Sequence, residues 1–435
     1  MKKATVVLSI IFLLSTTMLF AGGQRERAAG KGEAMTLTML SYQDLADPIT
    51  APNWEIVLNS FYASHPNIKL EIEYGFDEPY HNKLQAMLVA DQLPDLMFLW
   101  PGKRTGQITS SGKIKDLRAW LKGHESEFAA IAVAPQGAKG EIWELPEQVT
   151  DTHVMYTNTK YMKDLALSFP KTMDELLAQG DKISAKGLIP IAMTNKAGWQ
   201  MQSCLLSALC DRAGGMDWYN RVIVGKNASF ADQEFVNALS VIDTLSKRQM
   251  FSPGINQADY GQALTDFVTE KAVYYIDGGW RVNNLVGELT DEQKGYVELK
   301  TFPDIPNQKG TSGSTASVAG TGYGMHSKLQ GEKADAAWAW IWYYSGPVGS
   351  AIRQGHGANP AYKLPTPGNL DVMVKKLIKF VADTPAGYVI DAKMDAEGMG
   401  VLHPAIQEMI LGKRTPQQVA QEYEAWVAAN DSNRK

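Results

Sequence analysis

The chain has 435 residues, with 47 Asp and Glu against 42 Lys and Arg, seven His and two Cys, and a formal charge of −5. A mildly acidic balance argues against a nucleic-acid surface, so no nucleic-acid partner is expected. The length exceeds what one hydrophobic core usually serves and predicts two domains or one very large one.

The first residues, MKKATVVLSIIFLLSTTMLFAGG, place two lysines before an apolar run from Ala4 to Phe20 and small residues after it. This is the pattern of a secretory signal peptide, with residues 1–21 removed on export. The run is slightly short for a spanning helix, which needs about 20 apolar residues. No cysteine lies near the exit, so lipid attachment of the usual bacterial kind is not expected. Residues 22–34 are polar and Gly-rich and read as a flexible leader.

Beyond the leader, short strands alternate with amphipathic helices. MTLTMLSY (35–42) and IKLEIEYG (68–75) alternate as strands do, with the helix NWEIVLNSFYAS between them. YHNKLQAMLVADQ predicts a second helix, and PDLMFLW (94–100) a buried strand. Strand, helix, strand, helix, strand indicates an α/β fold with a mostly parallel sheet. A second block starts near Glu147. Within it, Thr172 and Glu175 stand in capping-box spacing before a helix that Gly187 should stop. Strands follow at IPIAMTN and AVYYID, with helices over 232–248 and 260–269. Cys204 and Cys210 lie on one helical stretch, six residues apart, about 9 Å of rise. That is too far for a disulfide, so both are expected as buried free thiols. The Pro- and Gly-rich run 302–325 reads as a crossover between domains. Trp338, Trp340 and Trp342, in an Ala-rich helix, read as core.

Few residues suggest catalysis. The histidines show no metal-ligand spacing, and neither a P-loop nor a nucleophile elbow is present, so no metal or cofactor is expected. Glu144 and Glu147, in WELPEQ, raise the possibility of a glycosidase carboxylate pair, against Glu144 as a solvated loop acid.

In AVYYIDGGWRV a strand runs into two glycines and then Trp280. Flexible glycines after Asp277 would let the chain turn and expose the ring at the strand's carboxyl end. There open α/β sheets bind ligands. Trp100, ending LMFLW, has the same placement, with core packing as its other reading.

Several segments in order resemble the extracytoplasmic solute-binding proteins of ABC importers, in the sugar-binding group that includes maltose-binding protein. They are LPDLMFLWPGKRTG, GEIWELPEQVTDTHVMYTNTKYM, FPKTMDELLAQGDKI (with Met173 where Trp is common) and KAVYYIDGGWRV. The resemblance covers nearly the whole chain after the leader. It implies a two-lobed type II periplasmic-binding-protein fold joined by hinge crossovers. One lobe would hold 35–147 with about 316–350, the other 148–315 with about 351–435. A sugar would sit in the cleft, and the loaded monomer would dock on an ABC permease of the inner membrane. Carried over onto this chain, the ligand-binding positions are Gln43, Asp44, Trp100, Lys103, Arg104, Glu147, Asp151, Trp199, Asp277, Trp280, Arg281 and Asn359. The aromatic set does not reproduce a malto-oligosaccharide pattern, which leaves the solute open. An exported carbohydrate-active enzyme, or a binding protein for a polyol, peptide or anion, are the alternatives.

Overall fold

The computed structural model describes residues 34–430. The signal segment and nearly all of the leader expected from the sequence lie outside the described residues. Within them no helix is long and apolar enough to cross a membrane. Strands follow in chain order as β1 (Met35–Tyr42), β2 (Ile68–Gly75), β3 (Leu96–Leu99), β4 (Leu145–Pro146), β5 (Val149–Asp151), β6 (Val154–Asn158), β7 (Ile189–Ala192), β8 (Ala272–Asp277), β9 (Val297–Lys300), β10 (Ser317–Ala319) and β11 (Gly322–Met325).

They form two main sheets, ordered β2-β1-β3-β11-β4 and β7-β8-β6-β9, with β10 and β5 paired between them. The α/β class is as expected, but the sheets are mixed rather than mostly parallel. β1 is parallel to β2 and β3, and β7 to β8, while the remaining pairs in both sheets are antiparallel. The expectation rested on strand–helix–strand order, which governs β1 to β3. β11 instead re-enters the first sheet after a long excursion through the second, and comes in from the opposite end.

Each sheet has its own core. Phe61, Tyr80, Met97, Tyr323 and Trp340 fill the first. The second is buried on both faces: Met155, Tyr274, Leu209 and Phe235 pack on one side, and Tyr156, Tyr275, Phe267 and Leu377 on the other. Successive residues of β6 thus point to opposite faces, as strand geometry requires. The Thr172–Glu175 capping box is formed, and Gly187 takes φ +74° just past that helix. Trp340 is fully buried, with Trp338 and Trp342 packed half-buried beside it. Both cysteines are free and buried.

Three chain segments pass between the sheets. β5 and β10 pair antiparallel, Thr150 opposite Val318. The third crosses after Tyr362; ahead of it the chain lies beside β5, where Asn359 and Val149 exchange backbone and side-chain hydrogen bonds of 3.0 and 3.1 Å. This corrects the boundary expected near residue 351. Ile352, Ala361 and Tyr362 pack in the first core, because the helix Pro347–Gly355 continues from Gly331–Ser345 and stays on the first sheet.

Candidate functional site

Between the two sheets lies a cleft of about 910 Å³, lined from both bodies. Its size falls in the upper range of small-molecule sites.

One wall is aromatic. Trp199, Tyr260 and Trp280 meet with ring centroids 4.6 and 5.9 Å apart, and the Trp280 Nε1–H donates to the Tyr260 hydroxyl at 2.8 Å. The reason for the glycines before Trp280 differs from the expected one. Neither takes a positive φ. Gly278 is needed for room: a Cβ there would lie 2.2 Å from the Trp280 ring, which folds back over it. Across the cleft, Trp100 has a mixed role. It lines the cavity while packing edge-on against Tyr42 (4.8 Å) and beside His81 (4.5 Å). Arg104 Nε donates to His81 Nε2 at 3.2 Å, and its Nη2 to Glu78 at 3.1 Å. Burial, and then the Arg104 charge, hold the His81 imidazole down at about 3, so it is neutral and accepts that bond.

Of the twelve expected positions, Gln43, Asp44, Trp100, Arg104, Glu147, Trp199, Trp280 and Arg281 line the cleft. The other four do not. Asp277 is fully buried under the wall; its carboxylate is occupied by Gln200, Tyr260, Tyr275, Arg281 and the Gly278 N–H. Asp151 is fully buried in the hinge pair, bonded to Ser317 at 2.5 Å. Asn359 spends its side chain on the Val149 backbone. Lys103 sits outside on the rim, paired with Asp395 at 2.9 Å. In each case a polar residue near a strand end is taken up by the protein's own hydrogen bonds or ion pairs, which spacing does not distinguish from a ligand contact.

Glu144 also departs from expectation. It is 1% exposed and bonded to Gln136, and burial raises its carboxyl well above the usual range, with Glu147 adding to the effect. It is a buried acid rather than a loop acid, and it lies outside the cleft lining. Glu147 does line the cleft, held by the Tyr344 hydroxyl at 2.5 Å and by Arg353 at 3.6 Å. Sequence reasoning missed Tyr260, Arg353, Asp391 and Glu288, all in the lining. Tyr260 begins a helix right after the cap residue Asp259, which in the sequence marks a helix start and nothing more. The others carry no signal.

The two bodies touch at the mouth. Asn284 Nδ2 donates to Asp47 Oδ2 at 2.9 Å, Trp199 Nε1 to Asp77 Oδ1 at 3.1 Å, and the Lys103 N–H to the Ala392 carbonyl at 3.0 Å. The arrangement is therefore closed, and a molecule inside would contact both walls at once.

The family model of the bacterial extracellular solute-binding proteins matches residues 42–351. A multiple sugar-binding protein of Streptococcus mutans is 21% identical over 331 residues, 73% of each chain. Among solved structures, a chitin oligosaccharide binding protein superposes with a TM-score of 0.81 at 22% identity, over 92% of this chain and all of that one. The maltose/maltodextrin-binding domain MalE of Bdellovibrio bacteriovorus, bound to maltotriose, does so at 0.71 and 16% identity, over 91% and 99%.

Proposed function

This chain belongs to the bacterial extracellular solute-binding protein family and has its two-lobed type II fold, and from that premise we propose that it binds a sugar of several rings and presents it to an ABC permease. The observation that carries this reading is the cleft itself. Tryptophan and tyrosine faces from both bodies border one cavity, with carboxylates, guanidinium groups and amides between them. Pyranose rings have apolar C–H faces that rings cover, and hydroxyl edges that such polar groups bind.

The two lobes meet at residues 146–154, 315–322 and a third crossing after Tyr362, and hinge there. A solute touching both walls binds the closed form better than the open one, and so drives closure. The chain does this as an exported, periplasmic monomer, without chemistry on the solute. The neighbours' names agree: one is a chitin oligosaccharide binding protein, another is bound to maltotriose.

The test is a thermal-shift and calorimetric screen of residues 22–435 against neutral oligosaccharides, polyols, peptides and anions. A ligand selective for the folded state raises the melting temperature by mass action. Stabilisation by an oligosaccharide class, lost in Trp280→Ala, supports the reading. Stabilisation by an anion alone, or consumption of the oligosaccharide, overturns it.

A further inference from the structure

The loop after β3 turns back on itself. Thr105 Oγ1 donates to the Trp100 carbonyl at 2.7 Å, and the Gly106 N–H donates to the Lys103 carbonyl at 2.9 Å. Arg104 is thereby brought back toward the Trp100 ring, its guanidinium carbon 6.0 Å from the centroid. Its Nη2 donates to Glu78 at 3.1 Å and its Nε to His81 Nε2 at 3.2 Å. Glu78 and His81 stand three residues apart on the helix Asp77–Val89, so one guanidinium bridges two neighbours on one helix face.

The second of these bonds decides the state of His81. A guanidinium nitrogen only donates, so Nε2 must offer a lone pair and the ring's single proton lies on Nδ1. Burial, and then the Arg104 charge, keep the ring from taking a second proton. Trp100 at 4.5 Å and Tyr42 at 6.1 Å hold the imidazole in place. Nδ1 has no hydrogen-bond partner among the described residues, yet it is not one of the interior polar atoms sealed from solvent. The ring lines the cleft, so the open side of this N–H is the cleft.

We propose that His81 is a ligand contact, giving the Nδ1–H to an oxygen of the bound sugar, and that Arg104 is a positioning residue that selects this tautomer. The inference rests on the sugar-binding reading above and adds to it. His81 is not among the twelve positions expected from the sequence, and Arg104, expected as a contact, acts through it. The donor carries no net charge, which suits a hydroxyl, ring or glycosidic oxygen, and it has no lone pair to receive an ammonium group. Because the ring stays neutral, the contact is the same between about pH 8 and 5.

The test uses the mature chain, with maltotriose, raffinose and a chitin trisaccharide as probes, and the variants His81→Gln, His81→Asn and Arg104→Met. Gln sets an oxygen where Nε2 was and keeps the Arg104 bond, but has a methylene in place of Nδ1. Asn sets an amide nitrogen at the Nδ1 position and gives up the Arg104 bond. Both lose the ring against Trp100, so the difference between them reads the two nitrogens. Calorimetry should show His81→Gln binding at least about tenfold more weakly than His81→Asn, the cost of leaving a solute oxygen unmet. Equal affinities or the opposite order overturn the proposal, because a ring that only holds Arg104 favours Gln. Nitrogen-15 spectra of the imidazole give the tautomer without any sugar. The wild type should carry its proton on Nδ1 near pH 7, and Arg104→Met should move it at least partly to Nε2. A wild-type proton on Nε2, or an unchanged spectrum in Arg104→Met, overturns the assignment. If no probe binds the wild type, the sugar reading fails separately, and the spectra alone decide whether Arg104 sets the His81 proton.

Discussion

The Trp280 ring lies directly on Gly278, close enough that a Cβ at residue 278 would sit 2.2 Å from it. Glycine therefore places the ring by being small, at an ordinary backbone angle. A Gly278→Ala chain must push the ring outward or shift β8, at an overpacking cost of about 1–3 kcal/mol. The displaced ring can no longer keep its 2.8 Å bond to Tyr260. We expect Gly278→Ala to weaken oligosaccharide binding nearly as much as Trp280→Ala, while melting only a few degrees below wild type. Calorimetric titration with a thermal melt checks both. Unchanged affinity in Gly278→Ala would mean the ring's position is unimportant.

The cleft's charges are paired unequally. Arg104, Lys196, Arg281 and Arg353 each have a carboxylate of their own, in Glu78, Asp259, Asp277 and Glu147. Asp44, Asp47, Glu288 and Asp391 line the same cavity without an ion pair among the described residues. Burial raises the Asp391 carboxyl, which is held only by Ser203, Ser207 and the Ala392 backbone with Arg104 at longer range. An acidic sugar would add a like charge in a low-dielectric cleft. A uronate-bearing oligosaccharide should therefore bind at least about tenfold more weakly than its neutral counterpart, about 1.4 kcal/mol. The gap should narrow in Asp391→Asn. Equal affinities in a paired titration would refute the charge argument.

How far the sequence anticipated this site depends on what kind of signal each residue leaves. β1 and β2 occur over the residues their alternation predicts, because burial of one face imposes period two. The Thr172–Glu175 cap is equally local. Trp280, after a strand end and two glycines, was expected at the cleft from that placement and Trp199 from the family resemblance, and both line it. Asp277 was misread because its neighbours in sequence are glycines and a tryptophan, while its partners are Gln200, Tyr260 and Tyr275, brought in by tertiary packing. Arg353 and Asp391 reach the cleft from segments more than 30 residues apart, on an ordinary amphipathic helix and a short turn. Nothing in a linear pattern marks them.

Closure depends on a second glycine. Gly102 takes φ +82°, and a Cβ there would meet the Ala392 carbonyl oxygen at 2.3 Å, beside the Lys103 N–H bond that joins the lobes. Gly102→Ala adds both backbone strain and a wedge at the rim. The wedge acts only when the mouth is shut. We expect scattering to show a more open chain with saturating sugar, and a dissociation constant raised about tenfold. Wild-type compaction on binding would show that the rim contact yields without cost.

His81 provides a pH test with a definite sign. Its folded-state value is lowered from 6.5 to about 3, by burial first and then by Arg104. Between those two values the unfolded chain holds a proton on this residue that the folded chain lacks. Stability from His81 is thus complete above about pH 6.5 and is lost as the pH falls toward 3. The limit is about 1.4 kcal/mol per pH unit, reduced because the ring is partly solvated. His153, also lowered to about 3, acts in the same direction, whereas Glu144 and Asp391, raised by burial, act in the opposite one. The comparison must therefore be between wild type and His81→Asn rather than of one curve alone. From pH 7 to 4.5 the wild type should lose about 1–2 kcal/mol more than the variant in urea unfolding. Parallel curves would mean that His81 takes up its proton in the folded chain, and that the Arg104 bond does not keep the ring neutral.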